Sequence, residues 1–237
     1  MVNHFSKILK VFLFALFLAL MYYLRNFFII YSDQLVLLTY QHLRMVLFAM
    51  PPAIALGVGL GIIIHRGKRR AAIVLGIAGV IMTVPSIALF GLMIPFLAPL
   101  GAGVGLAPSI IALILYSQLP VIRNTYVGLR EISPAVLKAA EGMGLTNWEV
   151  LRKVRLPLAL PIILSGIRTA VVLSVGVAAV AAYIGGGGLG RWIFGGIRRT
   201  YPEMMLAGAV AVSLLAIGLD MALARSQKLL RDVTRYS

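Results

Sequence analysis

This sequence predicts an all-α polytopic membrane protein of about six transmembrane helices with one long polar loop on the cytoplasmic side. Three observations carry that reading. The 237 residues are 61% apolar with a mean hydropathy of +0.99, too high for a soluble domain of this size, so membrane spans must hold the chain. The apolar residues gather in stretches at about 8–30, 45–64, 71–96, 106–122, 161–184 and 204–224, divided by a polar segment at 123–160. With both termini inside, sixteen Lys and Arg fall on cytoplasmic segments and five on external ones, the asymmetry that the positive-inside rule demands. Residues 1–237 thus read as a single transmembrane domain.

The first stretch follows Lys7 and Lys10 and runs from Val11 to Leu24 before Arg25. A basic start before a short apolar run could be a signal peptide, but no small-residue cleavage site follows Met21 to Leu24. A helix to about Ile30 with Arg25 snorkelling outward is expected instead. Residues 31–44 are polar enough for an external loop. In the second stretch, Gly57 and Gly61 form a small-xxx-small pair that lets another helix approach closely. It ends on His65 to Arg70, a basic run that reads as a topology anchor rather than a nucleic-acid site.

The third stretch is broken by Pro85, with Thr83 and Ser86 beside it. A proline there frees a carbonyl, which is tolerated where helices line a cavity. A kinked core helix and a lining of the pathway are both open readings. Thr83, Pro85 and Ser86 are therefore pathway candidates, with Tyr116 in the fourth stretch and Tyr183 in the fifth; for each tyrosine, helix packing is the equal alternative. A glycine-rich turn, Gly101 to Gly105, leads into the fourth stretch. After the fifth, Gly185 to Gly190 formally contains GxGxxG, but no strand precedes it and a dinucleotide site is rejected. A flexible external turn leading to an interfacial segment with Trp192 and Phe194 fits better. Arg168 and Asp220 lie within spans, where charge is expensive unless paired, hydrated or interfacial. They are expected toward the cytoplasmic side, as a pair holding the fifth and sixth spans or as simple interfacial residues.

The polar segment carries most of the functional information. Ser133 can cap a helix that Pro134 opens, and Gly144 can adopt the left-handed conformation that ends it. Thr146 and Glu149 have capping-box spacing and start a second helix, which must stop or bend near Pro157. Val136, Leu137, Ala140, Met143 and Leu145 give this hairpin an apolar side. Lys138, Arg152, Lys153 and Arg155 keep it basic.

Ala139 and Ala140, then Gly144, then nine residues, then Val154 to Pro157 resemble the signature loop of ABC importer permeases: Glu-Ala-Ala, three residues, Gly, nine residues, an aliphatic, one residue, Leu-Pro. The family's Glu is Lys138 here, so its acidic contact cannot be assumed, and Glu141 is the nearest substitute. Residues 83–89, 112–126, 166–169 and 184–190 also look like permeases of osmoprotectant importers for glycine betaine, carnitine and choline. The resemblance spans roughly 45–220. It implies that the hairpin is a coupling helix docking into an ATPase subunit, with Lys138, Ala139, Ala140, Glu141, Gly144, Leu145 and Thr146 at the coupling surface. It further implies an ATP-binding subunit dimer, a second permease copy or paralogue, an extracytoplasmic substrate-binding protein, and a bacterial or archaeal cytoplasmic membrane. ATP and Mg would be bound by the partner ATPase and no cofactor by this chain.

Enzyme classes find little support. The chain has no cysteine, its three histidines have no ligand spacing, and none of GxSxG, HExxH or a phosphate-binding GxxxxGK[ST] occurs, so it is not expected to bind metal or hydrolyse ATP. The alternatives are an amino-acid or oxyanion permease of the same superfamily, or a self-contained channel or membrane scaffold.

Overall fold

The computed structural model describes the backbone of residues 2–233 and the side chains of Leu9 and of residues 14–228. Lys7, Lys10, Arg231 and Arg235, counted above among the inside charges, lie outside the described side chains. The described residues form helices and turns, with no strand among them.

Helix α1 spans Val2–Ile30, and after Tyr31 the chain enters α2, Ser32–Ile64. The expected loop at 31–44 is thus the first third of a 33-residue helix, and its polar side chains explain why. Gln41 Oε1 accepts from the Gly188 amide at 3.0 Å, the buried His42 Nε2 donates to the Val175 carbonyl at 2.9 Å, and the Trp192 indole N–H reaches Gln34 Oε1 at 3.4 Å. These polar groups face protein, where satisfied hydrogen bonds let them sit in a helix rather than in solvent. The glycine turn at 185–188 is correspondingly packed: a Cβ on Gly187 would meet Gln41 Oε1 at 2.6 Å, and one on Gly188 would meet Met45 Cε at 2.9 Å.

The third stretch does not cross as one kinked helix. Helix α3, Lys68–Thr83, and α4, Ser86–Leu97, are bent by 100°. Val84 is extended at ψ 127°, the conformation that a following proline imposes by clashing with helical backbone, so the break is written in Val84 and Pro85. Helices α5, Leu106–Tyr116, and α6, Gln118–Arg130, run on through Ser117 as one span of 25 residues that continues about two turns past the expected end at 122. The hairpin expected on the cytoplasmic side is α7, Pro134–Gly142, and α8, Asn147–Glu149; a π-helical stretch, Val150–Arg155, joins α8 to α9, Leu156–Ala181. Helices α10, Gly190–Arg198, and α11, Pro202–Val233, complete the chain. Among the described residues four helical spans are long and apolar enough to cross a membrane, the bent α3–α4 pair makes five if it counts as one broken span rather than a re-entrant loop, and α1 contributes a shorter apolar helix, Phe14–Ile30.

The core lies where α2, α4, α5 and α9 meet, around Met45, Ala49, Ala53, Phe90, Leu113, Val175 and Ala178. Close approach of α2 and α6 rests on the predicted small pair. A Cβ on Gly57 would meet Val121 Cγ1 at 2.6 Å and one on Gly61 would meet Thr125 Cβ at 2.5 Å, while Gly59 between them faces open space.

Candidate functional site: cytoplasmic hairpin and broken helix

The hairpin's corner is built by backbone hydrogen bonds. Gly144 has φ +77°, its amide donates to the Glu141 carbonyl at 3.0 Å, and the Leu145 amide donates to the Ala140 carbonyl at 3.3 Å. Those two bonds are the Schellman pattern, closing α7 at the glycine that the sequence singles out. The capping box is also formed: Thr146 Oγ1 accepts from the Glu149 amide at 3.4 Å, and Glu149 Oε2 accepts from the Thr146 amide at 3.0 Å.

Two expectations need correction. Ser133 occupies the N-cap position, yet its side chain makes no capping hydrogen bond; its carbonyl accepts from the Val136 and Leu137 amides instead. Of the two outcomes expected near Pro157, a stop or a bend, the second arm does not stop but continues as α9. A π-helical turn just before the proline widens the backbone, which accommodates a ring that lacks an N–H and would collide with the preceding turn. The hairpin's second arm is therefore helically continuous with α9, and the coupling loop expected at 123–160 is mostly helical extension of its flanking spans.

Two contacts tie the hairpin to the bundle. Arg66 Nη2 donates to Asn147 Oδ1 at 3.1 Å, so the basic run after α2 touches the hairpin as well as anchoring topology. Arg155 Nη1 donates to the Leu129 carbonyl at 3.0 Å, and burial together with nearby Arg66 lowers its pKa. Hydrogen bonds from Lys153 and Thr146 lower the Glu149 pKa to about 2. A lowered carboxylate pKa contributes stability that is complete above the unfolded value and lost as pH falls through the folded one. The capping box should therefore persist from pH 7 to below pH 4.5, and a carboxylate titration of Glu149 by NMR should show no midpoint near 4.5.

The hairpin's apolar residues divide. Ala140 is buried at 2% exposure and Leu137 and Leu145 are half-buried, whereas Val136, Met143 and, on the other arm, Trp148 stand out at 41%, 72% and 64%. Lys138, Ala139, Glu141, Gly144 and Thr146 are exposed, so six of the seven candidates remain at least partly open to a partner and Ala140 packs inward. Trp148, Asn147 and Arg66 were not read as site residues. Trp148 is adjacent to the capping box and could have been noticed as a large apolar residue in a basic loop; the Arg66–Asn147 contact joins residues 81 apart and left no local signal.

At the break, Thr83, Pro85 and Ser86 come together, with Thr83 and Pro85 exposed and Ser86 half-buried. Thr83 Oγ1 bonds the Val80 carbonyl at 2.7 Å. Tyr116 stands behind them, buried at 8% exposure, its hydroxyl donating to the Val84 carbonyl that the break releases. That is the packing role left open beside pathway lining. Tyr183 is separate: it is exposed, stacks edge-on to Phe194 with centroids 5.8 Å apart, and lines a cavity of about 440 Å³ with Arg191 and Arg198.

Residues 53–232 match the family described as "Binding-protein-dependent transport system inner membrane component". This chain belongs to that permease family. The "Osmoprotectant import permease protein OsmW" of Salmonella typhimurium is 49% identical over 84% of this permease and 93% of its own length. The "Glycine betaine/carnitine/choline transport system permease protein OpuCB" of Bacillus subtilis is 41% identical over 83% and 88%. In fold, the permease resembles a chain of the inward-facing MetNI methionine ABC transporter, with a TM-score of 0.73, 24% identity, and coverage of 83% of this chain and 95% of that one. The chain is thus a multi-pass inner-membrane permease of the importer family.

Proposed function

We propose that the chain is the permease of an ATP-driven importer for osmoprotectants such as glycine betaine, carnitine or choline. The observation that carries the substrate class is the 49% identity over 84% of the chain to a permease named for osmoprotectant import. The hairpin supports the mechanism. It is a capped corner with an outward apolar ridge, continuous through the π-helical turn with a transmembrane helix, so a push on it moves α9 directly. Two ATP-binding subunits, holding ATP and Mg, would dock on the hairpins of two permease copies or paralogues. An extracytoplasmic binding protein would deliver cargo, and both termini would lie in the cytoplasm.

Purification of the permease with its ATPase, followed by uptake of labelled betaine, carnitine and choline into proteoliposomes, tests the reading. ATP-dependent uptake is expected. Passage without ATP, or failure to co-purify with any ATPase, would identify a channel or scaffold instead.

Trp148 should anchor the docking surface. Large exposed aromatics dominate such interfaces, each worth about 2 kcal/mol or more when truncated. Trp148→Ala is expected to weaken binding of the ATPase about thirtyfold. Unchanged affinity in a pull-down titration would place the contact elsewhere.

A further inference from the structure

Arg168 and Asp220 form a two-pronged ion pair, Nε to Oδ1 and Nη2 to Oδ2, both at 2.5 Å. Arg168 lies sixteen residues before Ile184 and Asp220 sixteen residues after Met204, so both sit about 24 Å from the external ends of their spans. In a hydrocarbon layer about 30 Å thick that is the cytoplasmic third, the expected side. Asp220 is the one acid within the expected spans.

The pair is not sealed. Its side chains are 35% and 36% exposed and open into a groove of about 350 Å³ lined also by Ser165, Thr169, Val172 and Leu173. Charges at this depth that face lipid are strongly disfavoured, so the face must meet water or polar groups. A pair serving only to tie α9 to α11 would gain from enclosure. The groove's volume lies within the range of small-molecule sites, ~300–1,000 Å³.

We infer that the Arg168–Asp220 pair is a transit site for a zwitterion, its guanidinium taking the cargo's carboxylate and its carboxylate facing the cargo's quaternary ammonium. The inference rests on the osmoprotectant reading above and names residues for it. An opened pair presents the mirror image of a zwitterion at a spacing of a few ångströms, and the exchange leaves the site neutral throughout. The Ser165 and Thr169 hydroxyls line the same groove, and Val172 and Leu173 offer apolar surface to methyl groups. Cargo gains two charge contacts while the protein loses one bidentate pair, so the two largely offset and binding stays weak. A pathway requires that weakness. A lone cation such as choline, or a lone anion, would leave one protein charge unpaired, so within the proposed substrate class the site favours the zwitterions glycine betaine and carnitine over choline.

The chain has no cysteine, so Ser165→Cys introduces its only thiol. In the reconstituted importer with its ATPase and binding protein, a membrane-impermeant methanethiosulfonate should label that thiol. Glycine betaine should slow labelling several-fold, and tetramethylammonium or acetate alone should not. Absence of labelling, or equal labelling with and without betaine, overturns the inference. The Arg168→Gln/Asp220→Asn double variant keeps a hydrogen-bonded pair without charge. It should insert at wild-type yield while betaine uptake falls about tenfold or more, the loss expected from removing charge-assisted contacts. Full uptake in that variant shows that the pair only ties the helices. If the wild-type importer carries no osmoprotectant, the functional reading fails and this inference with it; if wild-type uptake is normal and protection is absent, only the inference fails.

Discussion

Gly190→Ala is expected to destabilise the folded permease severely. Gly190 opens α10 where that helix crosses the end of α9, and a Cβ at this position would lie 1.8 Å from the Ala179 carbonyl oxygen and 2.6 Å from its carbon. Both atoms are backbone, so no rotamer relieves the overlap. The only escape is to push α10 away from α9, and α10 carries the fully buried Trp192, just after Leu189, into a cluster with Leu24, Phe27, Leu38 and Ala207. Overpacking a core by a methyl costs about 1–3 kcal/mol when side chains can shift, and a backbone overlap exceeds that. At about 3 kcal/mol the melting temperature of a chain this size falls by roughly 10 °C. Gly59→Ala is the control, because nothing lies within 4 Å of its Cβ and the substitution favours a helix. Yield of monodisperse protein and thermal unfolding in detergent measure the outcome. Equal yield and melting temperature for Gly190→Ala and wild type would contradict the packing described.

Features that short stretches specify were legible in the sequence. The Gly57 and Gly61 contacts, the capping box and the glycine corner follow from spacing within a turn or two of helix, and all are present. The Arg168–Asp220 pair is one of the two readings the sequence leaves open for these charges, the other being simple interfacial placement, and the ion pair is what forms. What escaped were features decided by distant partners. Gln41 and His42 made residues 31–44 look like a loop because their acceptors and donors, Gly188 and Val175, lie 147 and 133 residues away. Pro157 reads as a stop or a bend, and the helix runs past it because a π-helical turn, which no composition signals, makes room for its ring. The contact of Tyr116 escaped as well, because its hydroxyl donates to the Val84 carbonyl at the helix break, 32 residues away.

Gly144→Val is expected to separate ATP hydrolysis from transport. This outcome rests on the coupling role proposed for the hairpin. At φ +77° an L-residue is strained by about 1–2 kcal/mol, and a β-branched one by more. No atom lies within 4 Å of the missing Cβ, so all of the strain is in the backbone and none in packing. The corner can relax only by giving up the bonds from Gly144 to Glu141 and from Leu145 to Ala140, which set the angle between α7 and the arm that continues into α9. Core residues are untouched, so insertion should stay near wild type and the melting temperature should fall by only a few degrees. Uptake should fall about tenfold or more, since a barrier change of about 1.4 kcal/mol already gives a factor of ten, while the ATPase continues to turn over. Asparagine tolerates the left-handed region, so Gly144→Asn should keep most of the uptake and Gly144→Ala should fall between the two. Uptake and hydrolysis measured in the same proteoliposomes decide the matter. Wild-type uptake in the valine variant would remove the corner from the coupling path, and an asparagine variant as inactive as valine would show that backbone strain is not the cause.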